Sequence, residues 1–297
     1  MNSLLGDEGR LLQKKKEIAF LSEQITLPFH SRSWRGVSGV WQGRNQGSSI
    51  DFQDHRAYAP GDDPRHLDWA AYARTNHYMM KLFREEVSPR LDVVLDVSES
   101  MRITHEKEMR TLELLALVLG AALNDGINIR TYAANSGGRW KFLENPAALG
   151  LQSLQQFDTG ASRDGRLPLM QIPWRAGSLR VLISDLLFPQ SPDAELASLM
   201  RENGRAVVMA PYLLSEAQPD WHGNLELHDC ETKEVRQQRV EPFGLVRYAK
   251  SYRRHFELWQ EAARRHSIPL ARISCELALG LALRQQALPA GVFNVRH

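Results

Sequence analysis

The segment with the clearest chemical potential is Leu95-Asp-Val-Ser-Glu-Ser-Met101, which ends a run of valine and leucine residues. Its Asp-x-Ser-x-Ser pattern places the carboxylate of Asp96 and the hydroxyls of Ser98 and Ser100 within five residues. Hard cations prefer oxygen ligands, and Mg²⁺ in proteins retains several waters. One carboxylate and two hydroxyls therefore suit Mg²⁺ better than Ca²⁺, which would need a cage built from protein ligands alone. Zinc would require His or Cys, and the segment contains neither.

Two other segments offer oxygen ligands to the same place. Residues 181–185 predict a strand that ends at the carboxylate of Asp185, and residues 158–164 form a loop rich in hydroxyls and carboxylates. Because ligands bind outside the carboxyl ends of parallel strands, neighbouring strands would bring Asp96 and Asp185 to one edge of a sheet. We therefore expect three loops to converge on one cation.

Helix capping is the alternative explanation for the first loop. Asp and Ser are common after strands because their side chains accept hydrogen bonds from the first turn of the next helix. On this alternative, Asp96 and Ser98 cap the next helix and bind no metal. The second carboxylate, at Asp185, favours the metal hypothesis over the cap.

The rest of the chain predicts the sheet that would position these loops. Apolar and β-branched runs predict strands at 91–97, 127–134, 179–184, 205–211 and 269–274. Periodicity and capping residues predict helices at 107–125, 146–157, 192–203, 245–266 and 277–286. This alternation indicates an α/β fold with a mainly parallel central sheet flanked by helices. Residues 225–235 predict a hairpin.

The residues before the first core strand predict an extension. Residues 8–26 have the spacing of an amphipathic helix. Asp63 and Pro64 predict the N-cap and first position of a short helix that runs to about Arg74, and 77–87 predicts a strand. The predicted plan is an N-terminal helix, an extension packed on the sheet, and the α/β domain, at residues 1–30, 31–89 and 90–297.

Composition excludes several classes of protein. With 43% hydrophobic and 24% charged residues and only two cysteines, the chain is typical of a globular protein rather than a disordered, collagen-like or disulfide-rich one. A net charge of +2 gives no bulk attraction to nucleic acid or anionic membrane. No charged leader and no apolar run near the roughly 20 residues of a membrane span are evident, so we expect a cytoplasmic protein.

Motifs of common enzymes are absent from the sequence. It contains no phosphate-binding loop, dinucleotide fingerprint, nucleophile elbow or His-Glu-x-x-His pair. A metal-dependent hydrolase remains an alternative, although Glu99 has no evident partner for acid–base work. Nucleic-acid binding by the basic, aromatic-rich helix at 245–266 is a second alternative, but we prefer a solvated face or an acidic protein partner there.

A dense set of alternating charges surrounds two aromatic residues upstream of the sheet. Its members are Arg56, Tyr58, Asp62, Asp63, Arg65, Asp68, Trp69 and Arg74. Arginine pairs with carboxylates in a bidentate geometry, so the set predicts an ion-pair network that fixes a loop-rich segment. The alternative is that part of it forms a docking surface for a partner.

These residues carry a resemblance to known families. The first loop resembles the metal-ion-dependent adhesion site of von Willebrand factor A-type domains, whose pattern is Asp-x-Ser-x-Ser, then a Thr and an Asp on two further loops. Residues 51–75 and 81–86 closely resemble the signature of the bacterial domain of unknown function 58 family, and the strong resemblance covers about residues 33–101. It implies a von Willebrand A-like, Rossmann-like domain, commonly encoded beside a MoxR-type AAA+ ATPase and suspected to act with it.

The resemblance also implies a set of ligands. Asp96, Ser98 and Ser100 match the first loop, and Asp185 matches the third. The second loop departs from the usual Gly-Gly-Thr-Asp, because this chain has Gly-Ala-Ser-Arg at 160–163. The hydroxyl on that loop would come from Ser162, with Thr159 as the alternative. Many family members carry transmembrane helices ahead of the signature, and this sequence shows none.

The expected function is that of a non-enzymatic protein–protein interaction module. Mg²⁺, or alternatively Mn²⁺ or Ca²⁺, would bind at the sheet edge with an incomplete ligand shell, and an Asp or Glu of a partner would fill the open position. The expected partner is the MoxR-type ATPase in a chaperone-like or regulatory assembly. We expect no nucleic acid and no membrane span, and the sequence names no client.

Overall fold

A computed structural model describes residues 2–29, 52–83, 89–144, 154–157, 166–231 and 233–296. The chain divides into two compact units, a main unit formed by Met1–Ser31 with Pro89–His297 and a small unit formed by Arg32–Ser88. The strands are β1 Ile25–Thr26, β2 Phe52–Ala57, β3 Met79–Phe83, β4 Arg90–Asp96, β5 Asn128–Ala134, β6 Trp140–Leu143, β7 Leu179–Ile183, β8 Arg205–Tyr212, β9 Gly223–His228, β10 Val235–Val240, β11 Leu270–Ser274 and β12 Asn294–Val295. The α-helices are α1 Asn2–Gln24, α2 Trp69–Thr75, α3 His105–Asn124, α4 Pro192–Leu199, α5 Leu214–Ala217, α6 Pro242–Arg265 and α7 Leu279–Ala282.

The main unit is built on a six-stranded sheet with the order β11-β8-β7-β4-β5-β6. Every neighbouring pair is parallel except β5 and β6, which are antiparallel. The predicted α/β architecture with a mainly parallel sheet is therefore confirmed. Strand β4 lies inside the sheet, between β5 and β7, and its residues are buried from Leu91 to Asp96. Burial on both faces explains its mostly apolar sequence, and the buried Asp92 within it pairs with Arg175.

Helices contribute to the core beside this sheet. Val94 of β4 belongs to one buried cluster with Leu196 of α4 and Trp259 of α6, whose side chain is fully buried. Helix α3 contacts β5, β7 and β8, and α1 lies along α3. Most apolar residues of α3 are buried, and the predicted helix at 107–125 forms with nearly the expected bounds.

The N-terminal helix folds with the main unit. Lys14 of α1 makes an ion pair with Glu113 of α3. Strand β1, directly after α1, pairs antiparallel with β12, so the first and last described strands of the chain lie side by side. Arg296 also makes an ion pair with Asp125, at the end of α3, at 2.8 Å. These contacts make α1 part of the main unit rather than a separate element.

The small unit differs from the prediction in one respect. Strands β2 and β3 pair antiparallel, and Asp63 caps a turn of 3-10 helix at Pro64–His66, as expected from its sequence. A continuous helix to Arg74 was the wrong prediction, because Leu67 is extended and Asp68 starts a new helix, α2, by accepting hydrogen bonds from two backbone amides. A second cap residue within the predicted helix therefore divides it in two.

Other predicted helices are shorter than expected. The helix predicted at 146–157 lies outside the described residues apart from Leu154–Phe157, a 3-10 turn. Helix α4 ends at Leu199, because Glu202 and Asn203 have left-handed φ angles of 53° and 56° that interrupt a helix. The last helix continues from α7 into a π-helical turn at Leu283–Ala287. The predicted hairpin is present as β9 and β10.

No helix in the described ranges is both long enough and apolar enough to cross a membrane.

Candidate functional site

Asp96, Ser98, Ser100 and Asp185, which we call the strand-end site, follow the carboxyl ends of β4 and β7. Asp96 is the last residue of β4 and is only 1% exposed. Its Oδ1 accepts hydrogen bonds from the backbone N–H of Ser98 at 2.9 Å and from Ser98 Oγ at 2.5 Å. Its Oδ2 accepts one from Ser184 Oγ, directly after β7, at 2.6 Å. The first and third loops therefore meet at the predicted sheet edge.

The capping alternative does not describe this loop. Helix α3 is capped by Thr104, whose Oγ1 accepts a hydrogen bond from the backbone N–H of Lys107 at 3.2 Å. Ser98 precedes a 3-10 turn at Glu99–Arg102, but its side chain makes no capping hydrogen bond to it. The side chain of Asp96 is therefore hydrogen-bonded to those of Ser98 and Ser184 rather than to the first turn of α3.

A buried lysine holds the second carboxylate of the site. Lys107 Nζ lies 2.8 Å from Asp185 Oδ2 and 2.5 Å from Glu216 Oε1, and its side chain is 0% exposed. Burial opposes its charge, but the two carboxylates outweigh that penalty and raise the pKa of the Lys107 ammonium. Asp185 Oδ1 accepts a further hydrogen bond from the backbone N–H of Leu187 at 3.0 Å. Asp185 is thus fixed by an internal cation.

Lys107 was not predicted as a site residue, although the sequence contains a signal for it. Lys107 shares one helix face with Thr111, Leu114 and Val118, all of them buried in α3. A lysine within a buried stripe needs a partner carboxylate, because an unpaired buried charge is costly. A strand-end aspartate such as Asp185 is the natural candidate for that partner.

The electrostatics of the site are dominated by negative charge. Asp96, Asp185 and Glu216 supply three carboxylates against the one ammonium of Lys107, a formal charge of −2 when all are ionised. Burial, with the charge of Asp185 added, raises the pKa of Asp96 to about 7, against the opposing effect of its hydrogen bonds from Ser184 and Ser98. A cation would relieve this excess.

Backbone strain marks the third loop. Leu186, next to Asp185, is fully buried and has a left-handed φ of 61°, a conformation that is costly for a side chain of its size. The Oγ of Ser184 accepts a hydrogen bond from the backbone N–H of Leu186 at 3.1 Å and helps to hold this turn. The strained residue directly follows Ser184, which donates to Asp96, and Asp185, which pairs with Lys107.

Two residues that the sequence did not indicate complete the described part of the site. Ser136, in the loop after β5, donates from its backbone N–H to Ser98 Oγ at 2.8 Å. Its own Oγ donates to Glu231 Oε2 at 2.6 Å, and the backbone N–H of Ser100 donates to Glu231 Oε1 at 3.0 Å. Glu231 lies in the turn between β9 and β10. The predicted second-loop ligands, Ser162 and Thr159, lie outside the described residues.

The donor set fits a hard cation that keeps part of its water shell. Within the ranges that the structure describes, no group of three His, Cys, Asp or Glu side chains is arranged to hold a metal ion. An ion at the strand-end site would therefore depend on the hydroxyls of Ser98 and Ser100, on Asp96 and on water. Oxygen ligands of this kind beside excess buried negative charge suit Mg²⁺.

The charged residues of the small unit form local pairs. Arg56 binds Asp62 through both terminal guanidinium nitrogens at 2.6 Å, and this hydrogen bonding lowers the pKa of Asp62 to about 2. Arg65 binds Asp63, the residue that caps its own turn, at 2.6 Å. The partners are two to six residues apart, so these predicted ion pairs fix the loop locally.

The other members of this set have local roles as well. Asp68 lies 2.6 Å from His55 Nε2 and also caps α2. Arg74 donates to the backbone oxygen of Ala70 at 3.2 Å. Trp69 is 61% exposed, and the centre of the Tyr58 ring lies 6.3 Å from that of Tyr78. Asp68 and Arg74 therefore stabilise α2.

Known proteins share part of this sequence. The chain is 28% identical over 205 residues to the "Uncharacterized protein Rv1480" of Mycobacterium tuberculosis and to the "Uncharacterized protein Mb1516" of Mycobacterium bovis. Each alignment covers 64% of this chain and 63% of the relative, so the chain spans less than two thirds of those proteins.

Two solved structures show limited similarity to the fold. One is an aerotolerance-related membrane protein from Bacteroides fragilis, with a TM-score of 0.33 and 14% identity over 60% of this chain and 100% of that one. The other is the conserved hypothetical protein BatB from Bacteroides thetaiotaomicron, with a TM-score of 0.31 and 11% identity over 61% of this chain and 99% of that one.

The family model described as "Protein of unknown function DUF58" matches residues 54–258, which include the small unit's charged set, β4 and its loop, and Asp185. That match extends over more than half of the chain, and this protein belongs to the DUF58 family.

Proposed function

We propose that this protein is a non-enzymatic protein–protein interaction module that binds a partner's acidic side chain at the strand-end site in a Mg²⁺-dependent manner. Asp96, Ser98 and Ser100 would hold the ion, with Ser162 or Thr159 and Asp185 contributing directly or through water. The bound ion would supply a positive position that accepts a carboxylate. One observation carries the proposal. Asp96, at the end of β4, accepts hydrogen bonds from Ser98 and from Ser184, which follows β7, and the surrounding buried carboxylates outnumber the one ammonium.

The engagement of the carboxylates supports binding rather than catalysis. Asp185 is held by Lys107, and both oxygens of Asp96 accept hydrogen bonds from serine. A general base needs a carboxylate placed to take a proton from a substrate. Carboxylates that the protein holds in a fixed position suit a recognition site better.

The partner is proposed from the family resemblance. A MoxR-type AAA+ ATPase would contribute the acidic side chain, or deliver the protein that does, in a chaperone-like or regulatory assembly. Because such an ATPase needs ATP, we propose that the assembly is cytoplasmic.

The first test is calorimetric titration of Mg²⁺, and separately Mn²⁺ and Ca²⁺, into chelator-treated protein. The informative variant is Asp96→Asn, which keeps the side-chain shape and removes the charge. We expect saturable Mg²⁺ binding by wild type and at least about tenfold weaker binding by the variant, a loss of about 1.4 kcal/mol. Thermal unfolding with and without Mg²⁺ provides a second measurement of the same binding.

The matched control is Asp193→Asn, because Asp193 is a surface carboxylate of α4 that pairs with Arg265. It should bind Mg²⁺ as wild type does. Absence of binding to wild type, or equal binding by Asp96→Asn, would contradict the proposed metal site. A pull-down of the purified MoxR-type ATPase from the same genome, with Mg²⁺ or with EDTA, then tests the partner.

A further inference from the structure

The β9–β10 hairpin contacts the strand-end site through the described residues between its strands, 229–231 and 233–234. The two strands form a sheet of their own, and most of their residues are exposed. Within the turn, Glu231 binds Ser100 and Ser136, and Lys233 Nζ lies 3.7 Å from Glu99 Oε2. An otherwise exposed hairpin thus reaches the first loop with its charged side chains.

The Glu231 carboxylate occupies a position built from two separate loops. One oxygen accepts from the backbone N–H of Ser100 at 3.0 Å, and the other accepts from Ser136 Oγ at 2.6 Å. Two donors that converge on the two oxygens of one carboxylate form a strong and directional contact. Ser136 also donates to Ser98, which donates to Asp96, so the contact belongs to the hydrogen-bond network of the strand-end site.

We propose that Glu231 is an intramolecular ligand that occupies the place where the partner's Asp or Glu side chain binds. The hairpin turn must then withdraw before a partner can be bound, and the contact is autoinhibitory. This inference rests on the proposed function, because it names the occupant of that same site. The ligand class is a carboxylate side chain of another protein.

Withdrawal of the turn requires little of the fold to change. The β9–β10 ladder joins the two strands to each other, so the hairpin can move as one piece without breaking it. Few buried contacts are typical of elements that open locally at low cost. A tethered carboxylate acts at an effective concentration of about millimolar or more, so an external carboxylate binds more weakly while Glu231 is in place.

The test uses acetate as the probe and the backbone amide signals of Ser100 and Ser136 as the readout. Sodium acetate is titrated into ¹⁵N-labelled full-length protein in EDTA, with sodium chloride at equal ionic strength as the reference. In Glu231→Ala we expect saturable shifts of both amides at roughly tenfold lower acetate than in wild type. Glu231→Ala with Ser136→Ala should lose most of that gain, because the hydroxyl donor is gone.

Glu226→Ala is the matched control, because Glu226 lies on the same hairpin and pairs with His228 at 2.8 Å rather than with the first loop. It should respond to acetate as wild type does. Equal acetate responses of wild type and Glu231→Ala, or no response in either, would overturn the inference.

A Mg²⁺ titration of Glu231→Ala separates this inference from the proposed metal site. Mg²⁺ binding without any acetate response overturns the inference and leaves the metal site standing. An acetate response without Mg²⁺ binding supports the inference and removes the metal from the proposed function.

Discussion

Asp96 is a carboxylate whose surroundings oppose its charge. Its residue type and position were predictable, because a carboxylate at the end of a buried parallel strand faces the loop region where ligands bind. Its high pKa was not, because that depends on burial and on Asp185, a residue far away in the sequence.

The pH dependence of folding stability tests this property. Between about pH 4 and pH 7 the folded state keeps the Asp96 proton, whereas an unfolded aspartate releases it near pH 4. The folded state therefore binds more protons in that window, and the free energy of unfolding falls as the pH rises through it. In EDTA, Asp96→Asn should gain about 1–3 kcal/mol relative to wild type between about pH 5 and pH 8.

Urea unfolding at those two pH values measures the change. Asp193→Asn removes an exposed carboxylate and should show no such gain. A difference between wild type and Asp96→Asn that stays constant with pH would show that Asp96 does not titrate in this range.

The buried ammonium of Lys107 gives a second prediction for a single residue. Lys107→Met would leave Asp185 and Glu216 without their cation, and breaking a buried ion pair typically costs about 3–5 kcal/mol. Lys250→Met, on an exposed position of α6, should stay within about 0.5 kcal/mol of wild type. Denaturant midpoints of the two variants provide the comparison. Similar losses in both would mean that Lys107 does not hold the site together.

At the scale of elements, the contact between α1 and α3 depends on a residue without a side chain. A Cβ added at Gly120 of α3 would lie 2.8 Å from Ser22 Oγ and 2.9 Å from Ser22 Cβ on α1. Both distances are too short for a packed interface, so the two helices can approach this closely only with glycine there.

Gly120→Ala should therefore destabilise the protein by about 1–3 kcal/mol, although alanine is the better helix former. Gly244→Ala in α6 is the matched change, because a Cβ there meets no atom within 4 Å, and it should stabilise by about 0.5–1 kcal/mol. Thermal unfolding of the two variants tests the difference in sign. Stabilisation by Gly120→Ala would refute the close contact.

The errors of the predicted elements also have local causes. Strand β6 was not predicted, because its four residues include both Trp140 and Lys141 and show no long alternating run. The helix to about Arg74 was predicted from Asp63 and Pro64 at its start, and Asp68 was not recognised as a second cap, the one that begins α2. Short elements are decided by caps and by neighbouring strands more than by periodicity.

At the scale of the whole molecule, the N-terminal segment is part of the main unit. Phe29 is 7% exposed, and its backbone oxygen accepts a hydrogen bond from Arg205 at the start of β8 at 2.8 Å. Phe20 of α1 is 60% exposed. We expect Phe29→Ala to cost about 3–5 kcal/mol and Phe20→Ala to cost less than about 0.5 kcal/mol.

Urea unfolding, followed by a probe of the central sheet such as far-ultraviolet circular dichroism, tests that expectation. A single cooperative transition that moves to lower urea in Phe29→Ala would show that this segment and the sheet unfold together. An unchanged midpoint in Phe29→Ala would mean that the segment is not needed for the main unit.

The sequence by itself determined the alternation of strands and helices, the buried strand β4 and the loop that carries Asp96, Ser98 and Ser100. These depend on residue patterns that repeat over a few positions, which the chain carries locally. Only the tertiary structure decided that Lys107 neutralises Asp185 and that Glu231 reaches Ser100. Those pairs lie 78 and 131 residues apart, and their meeting depends on how α3 and the hairpin pack rather than on local patterns. The residue types of the strand-end site can therefore be recognised from short segments of sequence, whereas its charge balance and accessibility depend on the fold.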